Sequence, residues 1–415
     1  MAKKTIQDIN EKIRKGEAVV YTARELKEMI RNGERVTTDT VDAVTTGTCG
    51  IMSGTAAILT VPVAEKGVFA KAESIWINGV AAHPGPCPNE NLGIVDLILY
   101  GTSYASHEYG GGQVFRDLVA GKEVEVRVEA NGNIFENHIT LDDCSYAKLM
   151  TTRGAFKNYV SFLNDATGSC DTIFSVTGLR GPRKEIAISG CGEINPIEND
   201  PGLVSIGMGT RILVNGGVGY VIGQGTRSTP GKPNMSVIAD LKGMQAQYMG
   251  GFKTSKTPEV ITSIAVPIPV TEETLPYLGV LDGDVSLPVG EIHDRVPFTA
   301  GTYADVWQGT DHVITYASEL CTPCKVCTVE RDCPTAAFTM KGGIDKRRCY
   351  NCGACVFMCP GGAFKGSLGS MDIEGTRVPI TLRQSNRARA DELCESLKER
   401  ILAREFYLSE KVGSI

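Results

Sequence analysis

Cysteine is the residue type whose spacing carries the most chemistry in this chain. Between Cys321 and Cys359 it reads CTPCKVCTVERDCP and, further on, CYNCGACVFMCP, taking in eight of the fourteen cysteines. The second run, Cys349-x2-Cys352-x2-Cys355-x3-Cys359-Pro360, has the spacing of a bacterial-type ferredoxin. Cys321-x2-Cys324-x2-Cys327 repeats it, but Cys333-Pro334 follows after five residues rather than three. Two residues between thiolates let successive sulfurs wrap three corners of a cubane, and the proline keeps the turn from closing into a helix. In two-cluster ferredoxins the fourth cysteine of each run ligates the other cluster. The spacing therefore predicts two 4Fe–4S clusters, one on Cys321, Cys324, Cys327 and Cys359, the other on Cys333, Cys349, Cys352 and Cys355. A zinc site would use four ligands in pairs, and a disulfide scaffold would need an exported chain.

Six cysteines lie outside this window: Cys49, Cys87, Cys144, Cys170, Cys191 and Cys394. Free cysteine is usually a buried packing residue, and Cys394, on the apolar face of a helix, fits that role. Cys49 and Cys191 stand out because glycines flank each of them in segments that follow strands, where a substrate can approach sulfur and backbone N–H groups can meet an anion. Cys144 is read as a third candidate, at a helix start that would lower its pKa. The five histidines show no metal-binding spacing. The triple glycine Gly110, Gly111 and Gly112 precedes a helix, an arrangement suited to anions. Among Arg153, Lys157, Arg180, Arg183, Arg211 and Arg227, one or two could hold an anionic substrate, with Arg211 the first choice.

The elements that must position these residues are short. Residues 4–15 form an amphipathic helix, 18–22 a strand, and Thr22 with Glu25 a capping box that opens the next helix. Residues 41–46 read as a strand running into a glycine-rich turn that holds Cys49; ESIWINGV (73–80) and IFSVTGL (173–179) read as strands. Residues 202–226 read as tight hairpins rather than a dinucleotide fingerprint, because the glycine spacing is wrong and no helix follows. After the cysteine window come a hairpin turning at Glu374-Gly375 and a helix over about 386–405, too little to stand alone. The expected fold is α+β (mixed α/β), a large glycine-rich body with an inserted two-cluster ferredoxin-like module. Its boundaries are 1–312 for the body, 313–366 for the module, and 367–415 for a tail packing back on the body.

Net charge −6 and pI about 5.6, without a basic run, argue against nucleic acid as a partner. No apolar segment suggests export or a membrane, so the expected location is the reducing cytoplasm, of an anaerobe given the clusters. Oligomeric state stays open.

The opening KTIQDINEKIRKGEAVV, GGGQVFRDLVAGKEVEV, GEINPIENDP and GTRILVNGGVGYVIGQGT resemble the homocysteine-biosynthesis, sulfur-incorporation family of anaerobic archaea. With its ferredoxin stretch the chain most resembles that family's methanogen-restricted branch, methanogenesis marker protein 16. The resemblance implies a reductive sulfurtransferase: an anionic aldehyde, a sulfide or persulfide donor and two electrons from a low-potential donor give a thiol. The aldehyde is aspartate semialdehyde in the homocysteine branch, and sulfoacetaldehyde, giving coenzyme M, is the counterpart implied here. In the homocysteine branch a cysteine stands in a Met-Cys-Ser-Ser-Gly stretch; here Met52-Ser53-Gly54 fills that place and the thiol is four residues earlier, at Cys49. That branch's second cysteine precedes a Leu-Asp-Asp segment, whereas Cys144 follows it. Competing readings are an assembly or sulfur-carrier factor for a metalloenzyme, and an electron carrier, for which the body is far too large.

Overall fold

The computed structural model describes residues 3–85, 90–157 and 159–415; Cys87 lies outside them. The fold is mixed α/β. Its largest sheet runs Val20–Thr22, Ala43–Ile51, Glu259–Pro269, Arg211–Val214, Gly217–Gln224, Asn234–Asp240, Tyr146–Phe156, Thr55–Pro62, Ile94–Tyr100, Val80–Pro84, Ser74–Ile77, Val124–Ala130 and Asn133–Ile139. Gly250–Phe252 pairs with Glu259–Pro269 off this path. Val20–Thr22 joins in parallel and its neighbours along the path pair antiparallel.

Local signals hold where they rest on local bonds. Helix Ile6–Lys15 buries Ile9 and Ile13, and the Thr22/Glu25 capping box opens helix Ala23–Arg31. Two expected strands differ. ESIWINGV is the start of a hairpin, because Asn78 and Gly79 both take positive φ and turn the chain. IFSVTGL is a run of turns that becomes strand only at Leu179.

The strand carrying Cys49 also differs from its sequence reading. It does not stop at Thr46 but continues to Ile51, with Cys49 opposite Ser263 of Glu259–Pro269. Protein covers both of its faces, and all residues from Ala43 to Gly50 are buried. Gly47 is there for close approach rather than for a turn. A Cβ at Gly47 would fall 2.6 Å from Cys394 Sγ and 3.0 Å from the Ala390 carbonyl oxygen, both on helix Arg387–Leu402.

That C-terminal helix buries Ala390, Leu393, Cys394, Leu397 and Ile401 against the body. The hairpin before it, Ser370–Ile373 and Thr376–Arg383, joins a second sheet in the order Pro297–Thr302, Ser286–Glu291, Ser161–Leu163, Ile186–Ile188, Thr376–Arg383, Ser370–Ile373. Near the two ends of the cysteine-rich stretch, Thr315–Tyr316 pairs antiparallel with Phe364–Lys365. Among the described residues no helix is long and apolar enough to cross a membrane.

Gly47→Ala should lower stability by about 1–3 kcal/mol, the usual cost of overpacking. Adding Cys394→Ala should restore part of it by removing the nearest atom. Thermal melts of the three proteins test this, and a Gly47→Ala protein as stable as the parent would show that helix and strand can separate freely.

Candidate active site

Cys49 and Cys191 meet between three structural parts. Cys191 sits in a loop whose flanking glycines, Gly190 and Gly192, have φ of 108° and 63°. A Cβ on Gly190 would lie 1.9 Å from the Tyr303 hydroxyl, so only glycine fits there. The Cys191 sulfur lies 3.8 Å from the Cys49 carbonyl oxygen and 3.8 Å from the Thr48 hydroxyl. The Cys49 sulfur lies 4.0 Å from the hydroxyl of Tyr350, a residue within the Cys349-Tyr-Asn-Cys352 run. Tyr350 is itself buried and donates to the Gln384 carbonyl at 3.1 Å.

Both thiols are fully buried. Burial pushes Cys191 up to about 12. It also raises Cys49, against which the positive charge of Arg389 is the largest opposing influence. The pair therefore rests as thiols at neutral pH.

The start of the C-terminal helix fixes this arrangement. The Asn386 N–H donates to the Cys49 carbonyl at 3.0 Å. Arg387 donates to Glu193 at 2.8 Å and also pairs with Asp282, tying the Cys191 loop to the helix. Burial alone would raise the Glu193 carboxyl, but Arg31 and Arg387 hold it below its ordinary value. Lys27 joins the same buried network, donating to Asn199 at 2.8 Å and to the Leu278 carbonyl at 2.6 Å.

A cavity of about 240 Å³ has Ser53, Arg153, Tyr159, Arg227, Arg295 and Ser385 in its wall; neither thiol lines it, and Tyr159 and Thr48 link it to Cys191. The Tyr159 hydroxyl is 3.4 Å from the Thr48 hydroxyl, which in turn contacts Cys191. Ser385 accepts from the Gly190 N–H at 2.7 Å. Among the described residues none of the three arginines forms an ion pair, and Arg153 and Arg227 lie close enough to repel each other. Three guanidiniums without a direct ion pair around a concave space suit a small anion, though Glu259 acts on Arg153 from a distance. Ser53, where the homocysteine branch resembled here carries cysteine, donates to Glu259 at 2.7 Å; burial raises that carboxyl.

The cysteine-rich stretch places its thiols in two sets. Cys333, Cys349, Cys352 and Cys355 are neighbours: burial raises Cys349, Cys352 and Cys355, and Cys333 lies close enough to each of the three to add to that rise. Cys321, Cys327 and Cys359 gather about Tyr316. Backbone N–H groups point at sulfur, from Ala337 to Cys333 at 3.3 Å and from Asn351 to Cys349 at 3.5 Å, as befits sulfurs that carry negative charge. Among the described residues no three His, Cys, Asp or Glu side chains converge on a single-ion site. An all-thiol donor set of this kind is compatible with iron–sulfur binding.

Other residues singled out in the sequence fall elsewhere. Cys144 is buried at the end of a 3-10 turn, not at a helix start; its sulfur faces the Thr140 carbonyl and burial lifts it to about 11. Its charged neighbours, Lys242 and Asp143, are not those of Cys49 or Cys191. The N–H groups of Gly110, Gly111 and Gly112 are not free for an anion, because they donate to Gln113, the Ser103 carbonyl and the Gly101 carbonyl. Those glycines permit close packing instead: a Cβ on Gly111 would lie 2.2 Å from the Tyr100 carbonyl oxygen. Arg211 stacks on Phe406 at 4.4 Å, outside the cavity wall. Arg180 and Arg183 are neutralised by Glu185, Asp165 and Glu374. The sequence reading included Arg153 and Arg227 but missed Arg295, Tyr159 and Tyr350; of these only Tyr350 carried a signal, its place between two cluster-type cysteines.

A family model described as "Homocysteine biosynthesis enzyme, sulfur-incorporation" matches residues 18–408. The chain belongs to that family. This family member is 46% identical over 401 residues to an uncharacterized protein of Methanothermobacter thermautotrophicus, covering 95% of this chain and 92% of the relative. It is 42% identical over 396 residues to an uncharacterized protein of Methanocaldococcus jannaschii, covering 94% and 99%. To the L-aspartate semialdehyde sulfurtransferase of Methanocaldococcus jannaschii it is 33% identical over 313 residues, which span 70% of this chain and 58% of that enzyme. No solved structure matches.

The network under Cys191 gives this sulfur-incorporation protein a pH signature. Burial lowers Lys27 from 10.5 to about 7. Between those values the unfolded chain binds the extra proton, so this site's contribution to stability rises with pH and is least favourable below pH 7. The stability difference between the parent and Lys27→Met should climb by up to about 1.4 kcal/mol per pH unit across that window. Anaerobic urea titrations at several pH values measure it; a flat difference would mean that Lys27 keeps its ordinary pKa.

Proposed function

We propose that this protein catalyses reductive sulfur transfer onto a small anionic aldehyde. In the balanced reaction one aldehyde, one hydrogen sulfide, two electrons and two protons give one primary thiol and one water. Sulfoacetaldehyde is the substrate this reading favours, with coenzyme M as product. The observation that carries it is the linkage of the Cys49–Cys191 pair, through Thr48, Tyr159 and Ser385, to an arginine-lined cavity, with Tyr350 of the cysteine-rich stretch against Cys49. Membership of a sulfur-incorporation family supports the reaction class. The grouping of seven of the eight cysteines into two neighbouring sets, together with the spacing of Cys324, supports two 4Fe–4S clusters, on Cys321, Cys324, Cys327 and Cys359 and on Cys333, Cys349, Cys352 and Cys355. Bound there, the clusters would supply the two electrons singly.

The chain's own residues divide the remaining work. Arg153, Arg227 and Arg295 hold the anionic end of the aldehyde and turn its carbonyl toward Tyr159 and Thr48. Cys49 or Cys191 adds to the aldehyde carbon as a hemithioacetal; hydrogen sulfide displaces the enzyme thiol, water leaves to give the thioaldehyde, and two electrons with two protons reduce that to the free thiol. Glu259, kept protonated more readily by burial, is placed to pass a proton through the Ser53 hydroxyl to the departing oxygen. A second reading keeps this chemistry and takes aspartate semialdehyde to homocysteine; its support is the name of the relative that is 33% identical.

Cluster-reconstituted protein, given sulfide and a low-potential reductant under anaerobic conditions, should form coenzyme M from sulfoacetaldehyde, with product identified by mass. Aspartate semialdehyde offered in parallel decides between the two substrates. Cys49→Ser and Cys191→Ser should each cut turnover by at least about a hundredfold, and Arg153→Gln should raise KM about tenfold with a smaller effect on kcat. No thiol from either aldehyde, with clusters intact by absorbance, would sink the enzymatic reading, and full turnover by Cys49→Ser would remove that thiol from the mechanism.

A further inference from the structure

A second concave site, sharing no lining residue with the arginine cavity already described, gathers four arginines that form no ion pair among the described residues. The space, about 240 Å³, is enclosed by helix Gly111–Val119, strand Gly250–Phe252, the segment at Cys333 and the start of the C-terminal helix. Arg116, Arg347, Arg348 and Arg389 line it. Its other cations are neutralised locally, Lys253 by Glu108 at 2.6 Å and Lys122 by Asp117 at 2.7 Å. The four arginines are not: among the described residues none of them forms an ion pair.

Two of these groups are held in place while unpaired. Arg389 is only 5% exposed, and its guanidinium is fixed by donation to the carbonyls of Arg347 at 3.1 Å and Cys349 at 2.8 Å, neutral acceptors that leave the charge uncompensated. The Nε of Arg348 is buried without a partner. Burial, and then the charges of Arg348 and Arg389, lower the Arg116 pKa against the opposing charges of Asp117 and Asp345. Like charges gathered at one cavity cost free energy unless an anion joins them, and planar guanidinium forks match the paired oxygens of oxyanions. A folded acidic partner could not reach Arg389, whereas a small molecule can.

We infer that this cavity binds a small oxyanion carrying two or more negative charges, a phosphorylated, disulfonated or polycarboxylated molecule, beside Cys333. The site is separate from the aldehyde cavity and stands whichever aldehyde, if any, the protein turns over. The bland alternative is that these arginines only offset the charge of the neighbouring thiolates.

Isothermal titration of the full-length, cluster-reconstituted protein at low ionic strength separates the two. Pyrophosphate, ethane-1,2-disulfonate and citrate are the probes, and acetate is the monovalent control. At least one multivalent probe should saturate one site with a Kd below about 1 mM and bind about tenfold more weakly to Arg116→Gln and to Arg348→Gln. The double variant Arg153→Gln/Arg227→Gln should bind it as the parent does. The probe that binds identifies the oxyanion source. Arg116 is half-buried at the helix surface, so Arg116→Gln keeps the test decisive if Arg348→Gln does not fold. The inference is overturned by no saturable binding, by acetate binding as tightly, by unchanged affinity in Arg116→Gln, or by loss of binding in the Arg153/Arg227 double variant alone.

Discussion

Everything around the thiol pair depends on one buried charge and the helix that carries it. Arg387 is almost wholly removed from water, and such a charge persists only where fixed partners replace its hydration; Glu193 and Asp282 do so. The residues beside it reach in other directions. Asn386 holds the Cys49 carbonyl, and Arg389 holds the carbonyl of Cys349. Within four residues the first turn of the C-terminal helix thus grips the cysteine strand, the Cys191 loop and the cysteine-rich stretch. None of the three could shift alone without leaving a buried polar group unsatisfied.

The same geometry sets the electrostatics. The thiols sit in a dry interior that disfavours their charged form, while unpaired guanidiniums line the open spaces on either side. Arginines elsewhere on the surface, such as Arg183 between Asp165 and Glu374, are neutralised in the ordinary way. The contrast between paired and unpaired arginines, more than the net charge of −6, marks where anions belong.

What could be read from the sequence was what short-range physics decides. Cysteine spacing, the capping box at Thr22, the Glu374-Gly375 turn and the apolar face of the last helix each follow from contacts a few residues apart. The site itself is made by residues such as Ser53, Arg153, Cys191, Arg295 and Tyr350, which are far apart in the chain, and no local periodicity records their meeting. Glycine misled for the same reason. At Gly47 and Gly111 it looked like a turn or an anion cradle, yet its use is to admit a sulfur and a carbonyl from distant segments. Cys144 shows the limit for thiols, since a flanking pattern cannot tell a reactive cysteine from one whose sulfur is packed in the core.

The position of that last helix in the chain bears on how the protein is made. Ser385, Asn386, Arg387 and Arg389 leave a ribosome long after Cys49 and Cys191, because the chain is delivered from its N-terminus. Until they emerge, the Cys49 strand has one face uncovered, and the thiol pair is open to solvent and oxidants. Seclusion of the thiol pair therefore begins only once residues 385–389 have followed it. A chain cut short before residue 385 would lack the Ser385, Asn386 and Arg387 contacts and present both thiols bare.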